Sequence, residues 1–283
     1  MVSPAKINLF LSVLRRRPDG AHEIETVFER ISLCDEIRLA PLKDGKILLR
    51  TDCPGVPDGP SNLAWRAARI LQEKYAAKQG VRIGIRKRIP VAAGLGGGSS
   101  NAATVLLGLN RLWRLRLSRK ELLRLGASLG SDVPFFILES PFAVGRGRGE
   151  RLRKIKAPRR KLWHCLVKPG FSISTRKAYE GLKKVKLTPP QADVKILLRA
   201  IRNGRLERFP KLLVNSLEAV LGKRVIEILK IKKELTRQGA AATLLSGSGS
   251  SVFGVFASRA QAIRAARFLG KNKQWRAFAV STF

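Results

Sequence analysis

Apolar residues follow two different rhythms along this chain, and the points where the rhythm changes mark out the elements. Residues 5–14 (AKINLFLSVL) alternate loosely in a leucine-, isoleucine- and valine-rich run that predicts a strand. Segments 24–32, 35–40 and 46–51 predict further strands, broken by Asp-Glu and Asp-Gly pairs. After a turn-rich stretch from Pro54 to Ser61, the run LAWRAARILQEKYAAKQ carries apolar residues three and four apart and predicts a helix from Asn62 onward. Val81, Ile83 and Ile85 then alternate with Arg82, Gly84 and Arg86, the signature of a half-exposed strand.

A helical period returns over Ala102–Leu112, and Ser118 with Glu121 forms a capping box ahead of another helix. Later segments predict a strand over Leu162–Val167 and helices near 175–184, 193–203, 207–221 and 223–237. A strand near 251–256, a helix from Ala257 or Ser258 and a strand near 276–281 close the chain. No internal repeat is visible. Strands alternating with helices in both halves predict an α/β or α+β protein of two layers.

Composition narrows the class. With 45% apolar residues in 283, the chain can build a packed core. No apolar run reaches the length of a membrane-spanning helix, and the first strand begins too close to Met1 to leave room for a signal peptide. Cys34, Cys53 and Cys165 are odd in number and widely spaced, which suits reduced thiols in the cytoplasm better than disulfides or a zinc site. His22 and His164 are the only histidines, too few for a histidine metal centre.

Charge is the abnormal quantity. Lys and Arg number 56 against 20 Asp and Glu, a net +36. Residues 1–150 hold 25 basic and 14 acidic side chains, and residues 151–283 hold 31 and 6, so the excess lies mostly in the second half. Arg146–Lys161 is the densest basic stretch and reads as a solvated linker or loop. The excess would suit a nucleic-acid partner, but no RNP, KH, zinc-finger or helix-turn-helix signature accompanies it. The sequence therefore predicts no specific nucleic-acid partner.

The strongest chemical signal is the loop Pro90-Val91-Ala92-Ala93-Gly94-Leu95-Gly96-Gly97-Gly98-Ser99-Ser100, between a strand and a helix. Clustered glycines let backbone N–H groups approach an anion, and the helix that follows adds its positive N-terminal end. A Walker A loop needs Gly-Lys-Ser/Thr, and a dinucleotide fingerprint belongs after the first strand with an acid about 20 residues on; neither fits. Lys6 and Asn8, two apart on a strand, share one face. A second glycine-serine turn, Ser246–Ser251, leads into the strand at 251–256. Ser100, Asp132 and His164 occur in the order of an α/β-hydrolase triad, but they are too closely spaced and His164 falls mid-strand.

Taken together, PAKINLFL, PVAAGLGGGSSNAA and SGSGSSVFG resemble the three motifs of the GHMP kinases, a superfamily that includes galactokinase, homoserine kinase and mevalonate kinase. RRRPDGAHEIET, GSDVPFF and Asn62-Leu63 look like the branch whose substrate is 4-diphosphocytidyl-2-C-methyl-D-erythritol, in non-mevalonate isoprenoid synthesis. The resemblance implies an α+β protein with a ribosomal-protein-like N-terminal lobe (1–154), a ferredoxin-like C-terminal lobe (155–283), and MgATP as phosphoryl donor. Monomer and homodimer stay open.

By the same resemblance, Asp132 is the catalytic base and Lys6 the cation beside it, a sensible pairing for phosphoryl transfer. Residues 90–100 would hold the ATP phosphates, and Asn62 would meet adenine. Asn8, His22, Thr175 and Tyr179 match substrate-binding positions, His22 reading the cytosine edge and Tyr179 offering a stacking face. One position departs from the pattern: Ala21 stands where the family usually has an aromatic residue. That removes a stacking platform worth about 1–3 kcal/mol.

Overall fold

The structure is a computed structural model that describes every residue except 76–77, 157, 159, 183–184 and 186–191. The chain forms two compact units that interleave along the sequence. The first comprises Met1–Ala5, Leu33–Val91 and Gly96–Ser140; the second comprises Lys6–Ser32, Ala92–Leu95 and Pro141–Phe283. Two long strands, β1 (Val2–Arg16) and β2 (His22–Leu42), contribute to both.

In the first unit the C-terminal half of β2 pairs antiparallel with β4 (Gly80–Arg86), and β4 pairs parallel with β3 (Ile47–Thr51). Helices α1 (Leu63–Tyr75), α2 (Gly97–Leu112) and α3 (Arg119–Leu129) pack on one another, joined by the short α4 (Val133–Ile137). α1 buries Ala64, Ala67, Ala68 and Leu71, the three- and four-residue spacing seen in the sequence. The sequence pattern carries this helix on to residue 79, but 76–77 lie outside the described residues. The Ser118–Glu121 capping box forms as expected, with Ser118 Oγ accepting from Glu121 N and the Glu121 carboxylate accepting from Ser118 N. α2 begins at Gly97, earlier than the apolar period suggests, because its glycines carry no periodic signal.

Strands 24–32 and 35–40 are one strand rather than two. The expected break at Asp35 is absent because its buried carboxylate is fully compensated. It accepts from Lys87 Nζ, from the amides of Arg88 and Ile89 at 2.8 and 2.9 Å, and from Asn101 Nδ2 at 2.9 Å.

In the second unit β1 pairs with the N-terminal half of β2, which pairs antiparallel with β5 (Phe142–Gly147), and β5 with β6 (Arg151–Ile155). The part of the basic stretch up to Ile155, expected as a linker, thus lies in a hairpin, with residues 157 and 159 outside the described residues. Exposed Arg151, Arg153 and Lys154 suit an edge strand, where charge opposes edge-to-edge pairing.

A separate antiparallel sheet runs β11-β7-β10-β9, with β7 Trp163–Pro169, β9 Ala242–Leu245, β10 Val252–Phe256 and β11 Trp275–Ser281. Helices α8 (Val225–Arg237) and α9 (Arg259–Leu269) cover it, burying Ile228, Ile231, Leu235, Ala262, Ala265 and Leu269 against Val167, Leu245 and Val252. This is the ferredoxin-like sandwich.

Helix α5 (Thr175–Gly181) is shorter than the segment 175–184, of which Lys183 and Lys184 lie outside the described residues; α6 spans Val194–Asn203. The helix expected over 207–221 does not form. Instead a short α7 (Phe209–Leu212) gives way to the two-residue strand β8 (Val214–Asn215), parallel to β1 at Phe10 and Leu11. Asn215 explains the interruption, since its Nδ2 donates to the carbonyls of Leu245 and Gly247 at 2.9 and 2.7 Å and its Oδ1 accepts from Leu217 N.

Candidate active site

Three of the sequence's signals meet inside the second unit. Lys6 N donates to the Leu95 carbonyl at 3.0 Å, which fixes β1 against the first part of the glycine loop. Lys6 Nζ donates to Asn8 Oδ1 at 2.6 Å, and Asn8 Nδ2 donates to Thr26 Oγ1 at 2.8 Å. The shared face expected of Lys6 and Asn8 is therefore real, and both side chains are buried. Lys6 Nζ also stands 5.6 Å from the Phe28 ring centroid, within cation–π range.

The two glycine turns interlock. Ser246 Oγ donates to the Gly94 carbonyl at 3.0 Å and Ser251 N donates to the Ala93 carbonyl at 3.2 Å. Gly94 (φ +75°) and Gly247 (φ +56°) both lie in the left-handed region. A Cβ on Gly247 would stand 3.1 Å from the Gly94 carbonyl oxygen, 3.2 Å from Lys6 Nζ and 3.3 Å from Asn8 Oδ1. All three motifs thus converge around one glycine position.

The rest of the glycine loop belongs to the first unit. Gly96 caps α2 in the left-handed conformation at φ 68°, without a side-chain cap, so Gly97, Gly98 and Ser99 form its first turn. Gly98 and Val91 are exposed and Pro90 is buried. Ser100 is fully buried and its hydroxyl accepts from Ser3 Oγ at 2.8 Å, so that side chain braces the turn from below. Asp132 opens α4 as the residue before its first turn, makes no capping bond of its own, and is followed by Pro134. Residue Gly130 lies beside Ser99, since a Cβ there would stand 3.9 Å from Ser99 Oγ. Asn62 caps α1, its Oδ1 accepting from Ala64 N at 2.9 Å and its Nδ2 donating to the Pro57 carbonyl at 2.7 Å.

The expected substrate contacts also gather in the second unit. The rings of His22 and Tyr179 lie 5.4 Å apart at an interplanar angle of 35°. Tyr179 rests on an apolar cluster that includes Leu11, Val13, Ile24 and Leu217. Thr175 Oγ1 and Ser248 Oγ are 2.8 Å apart, which joins the start of α5 to the second glycine turn. His164 does something else. It is fully buried, with Nε2 3.0 Å from Glu29 Oε1, and it braces β7 against β2, so a hydrolase triad has no histidine.

The Asp35–Lys87–Asn101 network that underlies the loop was not legible in the sequence, because Asp35 and Lys87 lie outside the motifs and only Asn101 falls within one. A buried Asp within a strand pattern was the available signal. Among the described residues no group of three or more His, Cys, Asp or Glu could hold a metal ion, and no helix is long and apolar enough to cross a membrane.

Comparison with known proteins agrees with these features. The profile of the GHMP kinases N terminal domain matches residues 62–140, and that of the GHMP kinases C terminal domain matches residues 197–274. A 4-diphosphocytidyl-2-C-methyl-D-erythritol kinase from Citrifermentans bemidjiense is 43% identical over 282 residues, covering 100% of this chain and 98% of the relative. One from a Geobacillus species is 46% identical over 253 residues, 89% of this chain and 86% of the relative. A crystal structure of 4-(cytidine 5'-diphospho)-2C-methyl-D-erythritol kinase superposes with a TM-score of 0.85 at 37% identity, covering 99% of this chain and 98% of the other.

Proposed function

This chain belongs to the 4-diphosphocytidyl-2-C-methyl-D-erythritol kinase family of the GHMP kinases, and from that premise we propose that it transfers the γ-phosphoryl of ATP to the 2-hydroxyl of 4-diphosphocytidyl-2-C-methyl-D-erythritol. The observation that carries the reading is the convergence of Lys6, Asn8, Gly94 and Gly247. It brings the first strand and both glycine turns to one point, as a phosphate-handling site requires.

In this reading Asp132 accepts the proton of the attacking hydroxyl, and the ammonium of Lys6 offsets charge on the transferring phosphoryl group. The backbone of residues 90–98, with Ser99, cradles the phosphates at the start of α2; Ser100 contributes through its backbone and through its brace on Ser3. Asn62 faces adenine. His22 meets the cytosine edge with Asn8, Thr175 and Tyr179 lining the same pocket. Tyr179, in ring contact with His22, supplies the stacking surface that Ala21 lacks.

A magnesium ion held mainly by ATP phosphates needs only one or two hard protein oxygens, and the Ser99 hydroxyl and Asp132 carboxylate have that chemistry. When bound, it would neutralise charge on the β- and γ-oxygens. We place the enzyme in the cytoplasm, where its three widely spaced cysteines would stay reduced. The functional lobes are read as 1–154 and 155–283.

A coupled ADP-release assay tests the reading by offering the cytidyl alcohol, mevalonate, homoserine and galactose side by side. Stimulation by the cytidyl alcohol alone is expected. Stimulation by another alcohol and not by this one would overturn the substrate assignment while leaving the superfamily intact.

A further inference from the structure

A buried lysine outside all three motifs holds the segment that leads into α5. Lys168, at the end of β7, is 8% exposed, and its Nζ donates to the carbonyls of Pro169 and Phe171, each at 2.6 Å. Burial, with the facing Arg276 cation, holds this amine below the usual lysine range. No carboxylate pairs with it in those contacts; its protons go to backbone carbonyls. Leaving water for that arrangement is costly, so the arrangement calls for a reason.

The Phe171 carbonyl has a second donor. Ser250, fully buried in the second glycine turn, donates its Oγ to the same oxygen at 2.6 Å. Two further contacts follow along the same pair of segments. Ile173 Cδ1 lies where a Cβ on Gly249 would be 3.1 Å away, and Thr175 Oγ1 meets Ser248 Oγ at 2.8 Å. Residues 171, 173 and 175 are therefore stapled in turn to residues 250, 249 and 248. The turn's bonds to the phosphate loop run through other atoms, Ser246 Oγ and Ser251 N.

We propose that Lys168 and Ser250 are positioning residues for the acceptor alcohol. Sharing the Phe171 carbonyl, they set the 171–175 segment against the second glycine turn and thereby place Thr175 and Tyr179 for substrate. This rests on Thr175 and Tyr179 lining the substrate pocket, as argued above. Because the turn's ties to residues 93 and 94 use separate atoms, the clamp acts on the alcohol rather than on ATP.

Steady-state kinetics of the full chain with Lys168→Met, Ser250→Ala and the double variant test this. Each single variant is expected to raise the KM for the cytidyl alcohol about tenfold and to leave the KM for ATP within about twofold. Since both donors serve one oxygen, the double variant should be about as impaired as the worse single variant. Fully additive effects, a parallel rise in the ATP KM, or a lowered Tm with an unchanged alcohol KM would each overturn the clamp. If Lys168→Met does not fold, Ser250→Ala, which removes one hydroxyl, is scored by the same two KM values. If the unaltered chain turns over a different alcohol, the substrate reading fails instead, and the variants are scored on that alcohol's KM.

Discussion

Gly94→Ala is the sharpest perturbation of the interlocked loops. Two costs combine at this position. A non-glycine residue at φ +75° pays on the order of 1–2 kcal/mol for the left-handed conformation. The added Cβ would also overlap the Ser246 carbonyl oxygen and stand 3.0 Å from both the amide nitrogen and the carbonyl oxygen of Gly249. All of these are backbone atoms, so no side chain can swing aside.

Relief requires the two loops to separate by on the order of 1 Å, which strains the Ser246 Oγ–Gly94 and Ser251 N–Ala93 bonds. Adding those losses gives roughly 2–4 kcal/mol of destabilisation. Displacement of that size in a positioning loop costs about 100-fold in kcat/KM. Gly98→Ala is the contrasting control. Its Cβ meets only Leu63 Cδ1, at 3.9 Å, and lies in the first turn of α2. Its Tm should hold or rise, while activity falls if phosphates rest on that backbone. Chemical denaturation and ADP-release kinetics measure both quantities. A Gly94→Ala protein with unchanged stability and unchanged kcat/KM would refute the reasoning.

The other predictions address the supporting structure. Asp35→Ala leaves the buried Lys87 ammonium without its carboxylate and two amides without an acceptor, and should cost about 3–5 kcal/mol in urea titrations; a loss below about 1 kcal/mol would contradict the burial argument. Burial pushes the Cys165 thiol up to about 12, so at pH 9 Cys165 should resist iodoacetamide in the native state and react once unfolded, as peptide mapping would reveal. The sign of the linkage is that the folded state keeps a proton the unfolded state releases, so this group lowers stability as pH rises from about 9 towards 12. Tyr179→Ala should raise the KM for the cytidyl alcohol by about 10- to 100-fold with little change for ATP; equal effects on both substrates would count against its stacking role.

Much of the architecture was legible in the chain because it is written in local periodicity. β1, α1 and α3 follow from apolar spacing and, for α3, from a capping box whose partners are three residues apart. The three motifs were legible for a related reason: glycines and serines in a short run carry their own backbone chemistry. Asp35 shows where local reading stops. It looked like the end of a strand, but donors at Lys87, Arg88, Ile89 and Asn101, more than 50 residues away, keep it inside β2.

The segment 207–221 fails in the same way. Its apolar spacing suits a helix, yet pairing of Val214 with Phe10 and capture of the Leu245 and Gly247 carbonyls by Asn215 interrupt it with the two-residue strand β8. Arg146–Lys161 reads as a linker because its charge is dense, yet residues 146–155 lie in the β5–β6 hairpin because an edge strand can leave that charge in water. The sequence by itself thus determined those elements whose signal is local, and the superfamily. Only the tertiary structure decided that Gly94, Gly247, Lys6 and Asn8 share one point, and that Lys168 and Ser250 share one carbonyl. Such contacts join residues up to 241 positions apart (Lys6 to Gly247), and no local pattern encodes which distant partner will supply a missing hydrogen bond or neutralise a buried charge.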